Sequence, residues 1–91
     1  MIITDGVHVV STIDVEHLHI FAKNAKLKNF HNKKGFHHYD LISEVSFLRA
    51  LAYGALLLHP KDLIRKHEHV RFYDVDMAYA YRKVTLSKKL I

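Results

Sequence analysis

The side chains with the most chemical capacity in this chain stand together at His37-His38-Tyr39-Asp40. If this segment is extended, His38 and Asp40 project to the same side. A neutral imidazole accepts a proton near pH 7, a carboxylate can hold its tautomer, and a phenol can donate to developing negative charge. We therefore take His38, Tyr39 and Asp40 as candidate catalytic residues. In the alternative interpretation, His38 and Asp40 lock a loop through backbone hydrogen bonds and Tyr39 is a half-buried anchor.

Further candidate site residues lie in the first quarter of the chain. His19 falls at the edge of the apolar stripe of a predicted helix, where it either joins the catalytic group or bonds a backbone oxygen in the interior. Asp5 ends the first predicted strand, where open α/β sheets present ligand-binding groups, and His8 follows shortly after. We predict Asp5, His8 and His37 as ligand-binding residues.

Imidazoles and carboxylates are also the ligands that zinc, manganese and iron accept. Asp5, His19, His38 and Asp40 would supply such a set with open positions for a water. Their spacings match no known metal signature such as H-E-x-x-H. The metal therefore stays unknown, and a divalent metal cofactor is a minor alternative.

Basic side chains offer two more kinds of site. Arg49 suits a phosphate or carboxylate if it reaches the cleft, and is otherwise a surface arginine. A basic stretch interleaved with Phe30, His31 and Phe36 has the charge and ring faces of nucleic-acid surfaces, or is a solvated loop with its phenylalanines in the core. Its lysines are Lys23, Lys26, Lys28, Lys33 and Lys34.

The composition limits the class of protein that can carry these sites. With 91 residues, 49% of them hydrophobic, the chain has the size and balance of one globular domain, residues 1–91. A formal charge of +5 and nine histidines favour anionic partners, although a few surplus lysines also serve solubility. The absence of cysteine excludes disulfides and thiolate sites. Lacking a signal sequence or a long apolar run, the protein is expected to be cytoplasmic, without a membrane partner.

Apolar spacing and capping signals predict the elements of the first half. Residues 2–10 indicate one bent strand or two short ones, and residues 14–26 indicate a helix. Residues 28–36 form a loop or a ragged hairpin. Because His38 and Asp40 follow it directly, this segment decides how they are presented.

A second predicted helix begins after Ser43, turns Val45 and Leu48 inward and ends at Gly54. A short apolar run after Gly54 is typical of a buried parallel strand, and a third helix is predicted over residues 61–69. The expected fold is a two- or three-layer α/β domain with a short, mainly parallel sheet, in the order β-α-loop-α-β-α.

Residues 70–91 form a C-terminal extension that is either a strand or a helix. Tyr73, Tyr79 and Tyr81 belong to an alternation with period two, which favours a strand, while the intervening alanines keep a helix open. We expect this segment either to complete the sheet or to mediate a homodimer.

Several ordered motifs resemble a known family. They are Asp5-Gly6-Val7-His8, a Leu-x2-Phe-Ala sequence within residues 18–22, His38-Tyr39-Asp40-Leu41, and a Gly-Ala pair at residues 54–55. Together they resemble a family of short bacterial and phage proteins known only as domain of unknown function 4031, over about residues 1–66, within a family-like core of residues 1–69. The family usually carries a helix-ending glycine where this chain has Lys26, which predicts a different turn there. The resemblance implies no function.

From these residues we predict that the protein binds a phosphate-bearing small molecule such as a nucleotide. Hydrolysis by His38 as acid or base, with Asp40 as its orienter or as a metal ligand, would follow from the same group. The alternatives are nucleic-acid binding through the lysines and a non-enzymatic homodimeric module. Phosphate loops, G-x-S-x-G elbows and dinucleotide fingerprints are absent from the sequence.

Overall fold

The computed structural model describes residues 1–65 and 71–89 as five strands and four helices around one sheet. The strands are β1 (Ile2–Thr4), β2 (His8–Ser11), β3 (Phe30–Lys33), β4 (Phe36–Asp40) and β5 (Leu56–Leu57). The helices are α1 (Val15–Ala25), α2 (Glu44–Ala52), α3 (Pro60–Arg65) and α4 (Val75–Lys89). None of the described helices combines the length and the hydropathy that crossing a membrane requires.

The sheet has the order β3-β4-β2-β1-β5 and is mostly antiparallel. Only the pairing of β1 with β5 is parallel among the described strands; the other pairs are antiparallel. The class is α/β as predicted, but the mainly parallel sheet is wrong. Short connections are the reason: a three-residue turn joins β1 to β2 and a two-residue turn joins β3 to β4, and chains that reverse so tightly pair antiparallel.

Of the two alternatives predicted for residues 28–36, a loop or a ragged hairpin, the structure has the hairpin, formed by β3 and β4. Lys34 and Gly35 form its turn with φ angles of 53° and 81°, and positive φ at both central positions is the type I′ geometry that matches strand twist. The Asn32 side chain accepts a hydrogen bond from the Gly35 amide. This turn fixes which residue of β3 faces which residue of β4.

Helix α1 confirms the predicted boundaries within one residue at each end. The Asp14 carboxylate accepts from the His17 amide, and the helix ends at Lys26 in the left-handed conformation, with φ 59° and ψ 41°. The amides of Lys26 and Leu27 reach back to carbonyls of the last turn, the pattern that glycine usually supports. The turn at Lys26 is therefore of the kind that glycine usually makes, and the different turn predicted there is wrong.

Helix α2 begins at the predicted cap, Ser43, but turns a different stripe inward. Phe47 and Ala50 are fully buried, whereas Val45 and Leu48 are exposed. Both pairs have helical spacing, so the sequence carries two competing apolar stripes. Packing against the rest of the domain selects the stripe that carries the larger side chain.

Two apolar clusters lie on opposite faces of the sheet. The larger joins Ile2, Val9 and Tyr39 to residues of α1, α2 and α4. The smaller is made of Ile3, Val10, Leu58 and Leu63, with Phe36 at its border. Because α3 is short, the smaller cluster covers only the part of this sheet face near β1. Polar side chains occupy the part of the same face near β3 and β4.

The C-terminal extension contains a helix and not the favoured strand. Ala78 and Arg82 are buried one turn apart, which is the periodicity of α4. The predicted third helix is confirmed as α3 only to Arg65; its remainder, residues 66–69, lies outside the described residues.

Candidate functional site

Strand β4 divides the His-Tyr-Asp motif between the two faces of the sheet. Tyr39 belongs to the larger apolar cluster under α1, whereas the His38 ring lies 4.8 Å from that of Phe36, which borders the smaller one. Asp40 follows His38 by one strand period, and its Oδ1 is 3.4 Å from His38 Nε2. The predicted projection of His38 and Asp40 to one side is confirmed, while Tyr39 lies on the other side.

Neighbouring strands bring two more histidines to His38 and Asp40. His8 of β2 is directly opposite Asp40, and His31 of β3 is directly opposite His38. Paired residues in an antiparallel sheet share a face. We call the resulting group of His8, His31, His38 and Asp40 the imidazole cluster.

Distances within the imidazole cluster are short. The Asp40 carboxylate has one oxygen 3.4 Å from His38 Nε2 and the other 3.3 Å from His31 Nε2. One ligand atom from each of His8, His38 and Asp40 lies within 4.8 Å of the others. Ring centroids of His31 and His38 are 5.6 Å apart in a stacked arrangement. The cluster therefore concentrates imidazole nitrogens around one carboxylate.

Hydrogen bonds assign the ring nitrogens of two cluster members. His38 Nδ1 is 3.0 Å from the Phe36 carbonyl oxygen, which only accepts, so this nitrogen carries a proton. His8 Nδ1 is 2.8 Å from Asp5 Oδ2, and the other oxygen of Asp5 accepts from the amides of Val7 and His8. In both rings Nε2 is therefore the nitrogen that can accept a proton or bind a cation. Asp40 was predicted to hold the tautomer of His38, but Asp40 lies beside Nε2. The Phe36 carbonyl, which accepts from Nδ1, holds the tautomer instead.

Burial controls the charge of His38. Desolvation lowers the pKa of His38 below its ordinary value, more than the Phe36 carbonyl and Asp40 raise it. The neighbouring His8 and His31 lower it further. The ring is therefore neutral at pH 7, the state in which imidazole accepts a proton or binds a cation.

An open pocket gives access to the cluster. It is lined by His31, Asn32, Lys33, His38 and Asp40. Lys33 brings a positive charge to the rim, whereas the Asn32 side chain accepts a hydrogen bond from the Gly35 amide in the turn. A second groove, formed in part by Asp5, His8 and Tyr81, lies on the other side of Phe36.

Residues of α4 and of the segment just before it hold the turn that carries Asp5. The Tyr73 hydroxyl donates to the Asp5 carbonyl, and Arg82 donates to the carbonyls of Gly6, Leu41 and Ile42. Burial, followed by the charge of Asp5, raises the pKa of Tyr81. The sequence did not indicate this role of Tyr73 and Arg82, because nothing local to them points to acceptors 40 or more positions away.

His19 is separated from the imidazole cluster. Its Nδ1 is 2.7 Å from the Tyr39 hydroxyl, and its ring packs against Phe30 at 4.7 Å between centroids. His37 lies on the same face of the sheet as His19, away from the imidazole cluster, and its ring stacks on that of Phe30 with 6.1 Å between centroids. The predicted convergence of His19 with His38 and Asp40 is therefore wrong, because α1 covers the opposite face of the sheet.

Arg49 makes its hydrogen bonds with the end of α1. Its Nε donates to the Ala25 carbonyl at 2.9 Å, and Nη2 lies 3.4 Å from the Lys26 carbonyl oxygen. These carbonyls belong to the end of the helix, which lacks internal donors. Arg49 does not line the pocket of His31 and His38, but it lines a separate pocket that also includes Asp40. A contact of Arg49 with a ligand therefore stays a prediction.

The site also contains residues that the sequence analysis did not assign to it. His31 and Lys33 were placed on a nucleic-acid surface, and Asn32 was not considered. The signal that would have found them is the Lys34-Gly35 turn: a two-residue type I′ turn sets Lys33 opposite Phe36 and hence His31 opposite His38.

Comparison of this chain with protein-family models, with curated proteins and with solved structures finds no match. The resemblance to domain of unknown function 4031 thus stays a prediction. The functional argument consequently depends on the geometry of the imidazole cluster and its pocket.

Proposed function

We propose that the protein binds a phosphate-bearing small molecule such as a nucleotide at the imidazole cluster and hydrolyses it there. The observation that supports this proposal is the combination of Lys33 with His38 and Asp40 around one open pocket. A cation at the rim attracts a phosphate, and proton acceptors at the floor can activate water beside it.

The basic residue at the pocket rim and the proton acceptors at its floor have separate roles in this proposal. Lys33 pairs with the phosphate oxygens, while the attacking water is activated at His38 and Asp40. The water oxygen forms a bond to phosphorus as the bond to the leaving oxygen breaks; one water proton passes to the site and the leaving oxygen gains a proton. Phe36 keeps His38 in the required tautomer.

The proposal is tested with a panel of nucleoside mono- and triphosphates, by calorimetric binding and by phosphate release. We expect Lys33→Ala to weaken binding, and His38→Ala and Asp40→Asn to abolish hydrolysis. His19→Ala and Lys23→Ala are matched controls away from the cluster and should retain both properties. Equal binding and turnover in the wild type, His38→Ala and Asp40→Asn would refute the proposal.

A second candidate function is nucleic-acid binding. The specific observation in its favour is that Phe30 is 36% exposed on a strand whose four residues are all exposed, close to several lysines. Affinity for single-stranded oligonucleotides should then fall steeply with salt, and less steeply in Lys28→Ala and Lys34→Ala variants. Salt-independent affinity would exclude this function. Homodimerisation stays a prediction, although Tyr73 and Tyr79 make their hydrogen bonds within the chain.

A further inference from the structure

We propose that His8, His38 and Asp40 of the imidazole cluster form a site for a divalent transition-metal cation, of which zinc fits best. The inference rests on the proposed function in that the cation would activate the water of that reaction. Binding of the cation is nevertheless a separate property, which can be measured without any substrate.

The separation between His38 Nε2 and Asp40 Oδ1, 3.4 Å, fits two ligands of one cation. Charge-assisted hydrogen bonds between nitrogen and a carboxylate are about 2.7–2.9 Å long. The distances from Asp40 to His38 and His31 are longer, 3.4 and 3.3 Å. Two ligands bound tetrahedrally at about 2.0–2.1 Å from zinc lie about 3.3 Å apart. Asp40 Oδ1 thus stands at the distance from His38 Nε2 that a shared cation would impose, and Oδ2 stands at a similar distance from His31.

Hydrogen bonds behind the cluster give the same indication. Histidines that bind metals donate their second ring nitrogen to a carboxylate or a backbone carbonyl, which fixes the tautomer and raises the basicity of the binding nitrogen. His8 makes the first of these bonds, to Asp5, and His38 makes the second, to Phe36. Asp5 is itself fixed by the amides of Val7 and His8. Both rings are therefore oriented before any cation arrives.

The ligand set selects the kind of cation. Two imidazole nitrogens and one carboxylate are borderline to hard donors, which suit zinc and the neighbouring first-row divalent ions and do not suit soft monovalent copper. His38 and Asp40 are buried and His8 is half-buried; their ligand atoms lie within 4.8 Å of one another, so the cation would draw them closer together on binding. His31, exposed at the pocket rim, is available as a further ligand. A water or a phosphate oxygen would take the remaining position on the side of the pocket.

The experiment titrates the untagged full chain, freed of metal with a chelator, with zinc by calorimetry and with cobalt by visible absorption. We expect one equivalent of zinc per chain and a cobalt spectrum whose d–d bands indicate nitrogen and oxygen ligands. Zinc in excess should raise the melting temperature, because it binds the folded state. Absence of stoichiometric binding of either ion would overturn the inference.

Variants separate this site from incidental binding by the other histidines. His8→Ala and Asp40→Asn should abolish the cobalt bands, and Asp5→Asn should lower zinc affinity about 10- to 100-fold through the hydrogen bond behind His8. His19→Ala and His37→Ala remove histidines from the other face and should leave binding unchanged. His8 is half-buried, so its replacement tests the site even where His38→Ala does not fold. Binding that survives His8→Ala and Asp40→Asn in folded protein would also overturn the inference.

Failure of this inference is distinguishable from failure of the proposed function. Nucleotide binding and hydrolysis by a protein that binds neither zinc nor cobalt stoichiometrically would disprove the cation site but keep the proposed function. Stoichiometric zinc binding that depends on His8 and Asp40, in a protein with no affinity for nucleotides or inorganic phosphate, would keep the site and disprove the proposed function.

Discussion

Arg82 donates a hydrogen bond to the carbonyl of Gly6, 76 residues earlier in the chain, at a distance of 2.9 Å. The same guanidinium reaches the carbonyls of Leu41 and Ile42, so one buried side chain joins the β1–β2 turn to the segment after β4. Asp5 and Asp40 flank these two segments. Helix α4 therefore stabilises the backbone on which the imidazole cluster depends.

Replacing Arg82 tests this connection. Arg82→Ala leaves three carbonyls without their donor, and we expect the free energy of unfolding to fall by about 3 kcal/mol. Arg82→Lys should recover only part of the loss, because an ammonium cannot reproduce the planar fork. Urea denaturation measures the change, and Lys83→Ala, at the exposed neighbouring position, is the control. Equal stability of the Arg82→Ala and Lys83→Ala variants would contradict the prediction.

Gly6 and Gly54 form a matched pair for a second prediction. Both have a φ of +103°, so alanine is strained equally at either position, by about 1–2 kcal/mol. A Cβ at Gly6 would also lie 3.1 Å from Ala78 Cβ and 3.2 Å from the Ala78 carbonyl, whereas one at Gly54 meets nothing within 4 Å. We expect Gly6→Ala to cost about 1–3 kcal/mol more than Gly54→Ala in chemical denaturation. A smaller cost at Gly6 would show that α4 does not pack against the turn.

Lys26 offers a stabilising substitution. Lys26 has a left-handed φ of 59°, so Lys26→Gly relieves backbone strain at the end of α1. The greater conformational freedom of glycine in the unfolded chain offsets part of this gain in stability. The net increase should be about 0.5–1 kcal/mol in the free energy of unfolding. Lys26→Ala removes the same charge but keeps the strain, so it should give no increase. Equal effects of the two changes would attribute the gain to charge.

Tyr73 should make the free energy of unfolding depend on pH in the alkaline range. Burial raises the pKa of Tyr73 above its ordinary value near 10, and Asp5 and Tyr81 raise it further. A raised folded-state pKa gives stability that is complete below the unfolded value and is lost as pH rises beyond it. Above pH 10, unfolding should release the Tyr73 proton, which lowers the free energy of unfolding by about 1.4 kcal/mol per pH unit.

The control for this pH dependence is Tyr73→Phe, measured by urea denaturation from pH 8 to 11. The variant should be less stable at pH 8, because the bond to the Asp5 carbonyl is lost, and its stability should fall less steeply above pH 10. Tyr53→Phe, at an exposed position, should keep the wild-type slope. Identical slopes for wild type and Tyr73→Phe would rule out Tyr73 as the source.

Local features of the sequence were enough for the elements that depend on near neighbours. Asp14 and Ser43 cap helices because their side chains accept from amides three residues on, and this needs no other part of the chain. The strand period alone places His38 and Asp40 on one side, as predicted. Half of the candidate site, including the catalytic candidates at its centre, follows from such short-range rules.

Long-range packing decided the rest. Periodicity offered two apolar stripes on α2, and only the fit of Phe47 into the core chose between them. It could not tell which face of the sheet α1 would cover, and so His19 was assigned to the wrong side. Strand pairing brought His8 and His31 to Asp40, and hydrogen bonds from Tyr73 and Arg82 fixed the turn at Asp5 and Gly6. These contacts join residues that are distant in sequence and adjacent only once the sheet has formed.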